Sequence, residues 1–161
     1  MAFRRPVVIL LVAALAASFF LSSPSRAGVV DGVRTVDDLV IYLGVVPAAV
    51  TRGHAAEHPE RTMHGGVART TAHDIHLVVA VFRKGNGQRV INASVAATVR
   101  SAGSGPRTVR LAPMTINRSL SYGGYVSLGS FEDATITLAV TRPNLAPAIR
   151  TKTARFDYVH D

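Results

Sequence analysis

Five of the six histidines, His54, His58, His64, His73 and His76, fall between residues 54 and 76, and Met63 stands directly beside His64. Neutral imidazole is the commonest side-chain ligand for transition metals, and thioether sulfur adds a preference for Cu(I). The two together, without thiolate and with few carboxylates, suit copper better than calcium or magnesium, with zinc as the alternative. The expected metal ligands are therefore His54, His58, Met63, His64, His73 and His76. Gly53, Gly65 and Gly66 would let the backbone fold tightly around an ion. The competing reading is a solvated segment that is His-rich by composition alone. Met114, after Pro113, is either a further soft donor or, as a lone strand methionine, core filler.

His73 and His76 need separate treatment, because residues three apart point to opposite faces of a continuous strand. They converge only if that strand begins near Ile75. His76 would then share a face with Val78, Ala80 and Phe82, where a hydrogen-bonded histidine at the rim of the core is as good a reading as a ligand. His54-Ala55-Ala56-Glu57-His58 also matches the H-x-x-E-H pattern of inverted zinc peptidases, in which a helix presents two histidines and a glutamate base. Gly53 and Pro59 leave only about one turn of helix there, so a zinc hydrolase is the least favoured function. No G-x-S-x-G elbow, phosphate loop or carboxylate pair can be assigned, so no residue is expected to be catalytic and the chain is not expected to be an enzyme.

The elements that must position these residues are strands. Leu39 to Val46 and His76 to Phe82 are short apolar, β-branched runs bounded by turn residues. Lys84-Gly85-Asn86-Gly87-Gln88 supplies a tight reversal, and from Val90 to Arg100 apolar and polar residues alternate with a period of two. The same signals recur at Thr108 to Leu111, Met114 to Ile116, Tyr122 to Leu128, Ala134 to Thr141 and Ile149 to Val159. Seven to eight short strands without intervening helices predict an all-β fold: an immunoglobulin-like antiparallel β-sandwich with Greek-key connections. A small barrel is the alternative. Tyr122-Gly123-Gly124-Tyr125 reads as one Tyr packed inward with the glycines at a bulge or close crossing, or else as a recognition surface. Residues 47–75, between the first two strands, make a connection about twice the ordinary length, and the histidines lie on it.

Composition sets the compartment and excludes some partners. Residues 1–27 have the three parts of a secretory signal: Arg4 and Arg5, an apolar stretch from Val7 to Leu21, and a small-residue cleavage pattern at Ser25-Arg26-Ala27. That apolar stretch falls short of the roughly 20 residues a spanning helix needs, so no stable membrane anchor is expected after cleavage. Residues 28–161 then form one domain in the periplasm or outside the cell. Cleavage removes Arg4, Arg5 and Arg26 and lowers the net charge from +8 to +5. The remaining arginines are scattered singly, which argues against nucleic acid as a partner. The absence of cysteine removes disulfides, thiolate catalysis and lipid attachment through a thiol.

From His76 onward the pieces HLVVAVF, GNGQ, VINASV, APMTI, YGGYVSL and ATITLAV follow the order of features in the FixH/YtkA-type immunoglobulin-like periplasmic domains, which the chain resembles over about 65 residues. The segment before it, with IYLGVVPA and the RGH and MHGG elements, is similar to uncharacterised exported bacterial proteins. The resemblance implies an immunoglobulin-like fold and a copper-related role. The chain departs from it in having no Trp and no methionine-rich run. The expected function is a periplasmic, non-enzymatic protein that binds copper or another transition metal through the His/Met loop. The alternative is a module that binds an envelope protein partner through a sandwich edge or the YGGY region, with incidental histidines.

Overall fold

The computed structural model describes residues 28–48, 74–128 and 133–159. The expected signal segment and most of the expected long loop, including His54, His58, Met63, His64 and His73, lie outside the described residues. Alternating β-branched and apolar residues build nine strands: β1 (Gly28–Val30), β2 (Val33–Val36), β3 (Leu39–Pro47), β4 (Asp74–Arg83), β5 (Ser94–Ser101), β6 (Arg107–Ile116), β7 (Ser119–Ser127), β8 (Ala134–Thr141) and β9 (Thr151–Val159). One helical turn, α1 (Pro147–Arg150), precedes the last strand. Every pairing is antiparallel, in the order β1-β9-β8-β5-β6-β7-β4-β3-β2. Among the described residues no helix is long and apolar enough to cross a membrane.

Two strand segments bend this order into a nearly closed, barrel-like body. β6 pairs with β5 through residues 107–111 and with β7 through residues 112–116. Pro113 follows directly after the handover, a position where a residue without N–H is tolerated because one neighbour has left. On the opposite side β1 pairs with β9, β2 pairs with β3, and the chain passes between them at Asp31 and Gly32. Asp31 takes a positive φ of 55°, and the Leu43 amide donates to the Gly32 carbonyl at 2.8 Å. Arg34 draws the first strands against the last: its Nε donates to the Arg155 carbonyl at 3.1 Å, and its guanidinium lies 5.2 Å from the centre of the Phe156 ring.

Inside this body the period of two is plain. Ala134, Ile136, Leu138 and Val140 of β8 are buried, while the residues between them are less so. They meet Leu39, Ile41, Leu77, Val79, Val81, Val95 and Phe156 in one core cluster. Each such side chain contributes about 1.5–3 kcal/mol on burial, and with no cysteine in the chain this burial carries the fold. One ion pair adds to it. Arg142, after β8, grips Asp38 of the β2–β3 turn with both terminal nitrogens, at 2.6 and 2.9 Å. That hydrogen bond, opposed by partial burial and assisted by the guanidinium charge, holds the Asp38 carboxyl below the usual carboxylate range.

The expected all-β antiparallel architecture is observed, with differences that have local causes. β1 and β2 were not expected, because three- and four-residue strands are too short to show a period. The runs expected at 108–111 and 114–116 are one strand, β6, continuous through Pro113. The third run starts at Ser94 instead of Val90. Residues 90–93 form a crossing in which Tyr122 Oη donates to the Val90 carbonyl and accepts from the Ala93 amide, both at 3.2 Å. Those groups would otherwise lack partners.

Candidate metal centre

β3, β4, β7 and the second half of β6 lie side by side. Alternation turns Leu77, Val79, Tyr122 and Val126 to the core, and turns His76 of β4, Gly123 and Tyr125 of β7 and Met114 of β6 to the other face. In register, His76 stands opposite Tyr125, and Met114 stands opposite Ser121, next but one to Gly123. His76 and Met114 are each only 4% exposed although they point away from the core. Met114 is buried yet is no member of the main core cluster.

The imidazole of His76 stacks on the Tyr125 ring, with centroids 4.5 Å apart and planes 24° from parallel. Its Nε2 lies beside Gly123 of the same strand as Tyr125. The point that a Cβ on Gly123 would occupy is within 3.0 Å of both Met114 Sδ and His76 Nε2. A soft sulfur and an imidazole nitrogen therefore converge on one small volume between three strands. An ion held by both would lie farther from the strand than that point, which is one bond from Gly123 Cα, with both side chains turned to meet it. The donor chemistry, imidazole with thioether, suits copper.

This pair differs from the set expected from sequence. His76 does share a face with Val78, Ala80 and Phe82, but the core is on the other face, with Ile75, Leu77, Val79 and Val81, and His76 is nonetheless buried. Met114 is neither an ordinary core residue nor remote from His76. β4 begins at Asp74, close to the start near Ile75 that convergence with His73 requires; His73 itself, with His54, His58, Met63 and His64, is outside the described residues. Among the described residues no group of three or more His, Cys, Asp or Glu could hold a metal ion. Of the YGGY segment, Tyr122 packs inward at 2% exposure. Gly124 faces the core, where an added Cβ would come within 2.9 Å of Leu111 Cδ2. The close-crossing reading of the glycines therefore holds.

No family model matches the chain, and no curated protein matches it. Solved structures do match. A DUF4426 family protein from Pseudomonas aeruginosa superposes with a TM-score of 0.59 at 13% identity, over 80% of this chain and 93% of that one. The copper-reconstituted P19 protein of Campylobacter jejuni gives 0.60 at 13% identity, over 83% and 95%. A copper-bound variant of FetP from uropathogenic Escherichia coli strain F11 gives 0.61 at 11% identity, over 84% and 93%. At these identities the likeness is one of fold. It lies with the DUF4426, P19 and FetP proteins, where the sequence pointed to FixH/YtkA-type domains.

Proposed function

We propose that this chain is a periplasmic, non-enzymatic metal-binding protein whose centre, built on His76 and Met114, takes copper. The carrying observation is the meeting of His76 Nε2 and Met114 Sδ over Gly123. Further ligands come from His54, His58, Met63, His64 and His73. In support, β3 and β4 stay in register up to Val46 opposite His76 and Pro47 opposite Ile75, so the segment bearing those residues leaves and re-enters the sheet beside the imidazole. Copper-bound proteins among the fold neighbours point the same way, and the signal-like residues 1–27 support export.

The test is a titration of residues 28–161 with Cu(I), Cu(II) and Zn(II). Copper should bind with a Kd below about 1 μM, and His76→Ala and Met114→Ala should each weaken it roughly ten- to hundredfold. Combined replacement of His54, His58 and His64 by Ala should weaken it further. No copper binding at micromolar concentrations, or wild-type affinity in His76→Ala, refutes the centre.

A second reading, docking of an envelope protein partner, draws on Tyr42 and Val33. They are paired across β3 and β2, 45% and 44% exposed, with Tyr42 set edge-on to Phe82. Copper-independent capture of a defined envelope protein, lost in Tyr42→Ala, would favour it.

A further inference from the structure

We infer that Gly123 is the residue that makes this centre selective for Cu(I), by leaving the space that the Met114 thioether shares with the His76 imidazole nitrogen. The inference rests on the copper reading above and adds to it a positioning residue and an oxidation state. Gly123 lies inside a paired strand, where glycine is unfavourable for want of a side chain to pack. Its backbone does not call for glycine, because the described glycines at positive φ are Gly87 and Gly103. What calls for glycine is space. A Cβ at residue 123 would overlap Met114 Sδ, stand 3.2 Å from Met114 Cε and 3.0 Å from His76 Nε2.

Any side chain at this position must therefore displace the thioether from its place beside Gly123, whereas the imidazole nitrogen, at 3.0 Å, need give by only a few tenths of an ångström. The sulfur belongs to a flexible side chain and can yield, so the fold survives the change while the donor pair does not. Thioether sulfur favours Cu(I), whereas Cu(II) and Zn(II) are served by nitrogen and oxygen donors. Displacing the sulfur thus falls on one oxidation state. Gly124 provides an internal control. Its missing Cβ makes room for Leu111 Cδ2 on the core face, so a substitution there strains packing without touching the centre.

The experiment measures Cu(I) affinity by competition with a chromophoric Cu(I) chelator, Cu(II) and Zn(II) affinity by titration, and stability by urea unfolding. It uses residues 28–161 as wild type, Gly123→Ala, Met114→Leu, the double variant and Gly124→Ala. Gly123→Ala should lose roughly ten- to hundredfold in Cu(I) affinity and less than about threefold for Cu(II) and Zn(II). Met114→Leu should match it, and the double variant should lose no more than either single, because both remove one interaction. Gly124→Ala should unfold at lower urea with Cu(I) affinity unchanged.

Unchanged Cu(I) affinity in Gly123→Ala, equal losses for all three metals, or additive losses in the double variant overturn the inference. If Gly123→Ala does not fold, Met114→Leu decides alone: it must lose Cu(I) while keeping Cu(II). A wild type that binds Cu(II) and Zn(II) but not Cu(I) defeats the selectivity and leaves the metal centre standing. A wild type that binds none of the three defeats the centre itself.

Discussion

Tyr122 shows how closely structural and chemical residues are interleaved in this protein. Its hydroxyl, 2% exposed with the rest of the side chain, donates to Val90 and accepts from Ala93, and the next residue is the glycine over which His76 and Met114 meet. Tyr122→Phe keeps the ring and removes both hydrogen bonds, leaving a buried amide and carbonyl without them. A stability loss of about 1–3 kcal/mol is expected, measured by urea unfolding, with Cu(I) affinity preserved because the ring still fixes β7. The inward Tyr was legible from the alternation of YGGY, and so was the crowding of its two glycines. The partnership of Met114 with His76 was not. Thirty-eight residues separate them in the chain, and no local period says that β7 will lie between β4 and β6.

At the level of elements, the turns hold the two halves of the sheet together. Asp37 and Asp38 form the β2–β3 turn, Asp37 at a positive φ of 51°, and they reach Lys152 on β9 and Arg142 after β8. The Arg142 side chain is 8% exposed, so the carboxylate it grips is its main compensation for leaving water. Because the folded state keeps Asp38 ionised below its ordinary range, the pair adds stability above about pH 4 and loses it as pH falls through the lowered folded value. Asp38 is half exposed, which limits the size of the effect. Urea midpoints of the wild type should drop between pH 5 and pH 3 by more than those of Asp38→Asn, and Asp38→Asn should be the less stable protein at pH 7. Sequence revealed the strands with strong alternation, β3, β4, β5 and β8, because each buries one face. It missed β1 and β2 and divided β6, since strands that short, or broken by a proline, depend on partners chosen far away in the chain.

At the level of the whole molecule, the order β5-β6-β7-β4-β3 decides what the sequence can do. It sets the thioether of one strand beside the imidazole of another across a glycine of a third. The all-β class followed from short strands and turn residues, but this arrangement is a property of topology, and only three strands in register create it.

Where β6 parts from β5, residues 112–116 pair, among the described residues, with a strand on one side only, and a flank of that kind is a template for foreign chains. Pro113 sits in the middle of it and offers no amide hydrogen to a newcomer. The same proline that accompanies the change of sheet thus acts as a guard against polymerisation. Pro113→Val should shorten the lag before fibril or aggregate formation under agitation, followed by thioflavin fluorescence and light scattering, at little cost to the folded monomer. Without disulfides to hold its strands, the chain has in that one ring a safeguard during the interval before its sheet closes.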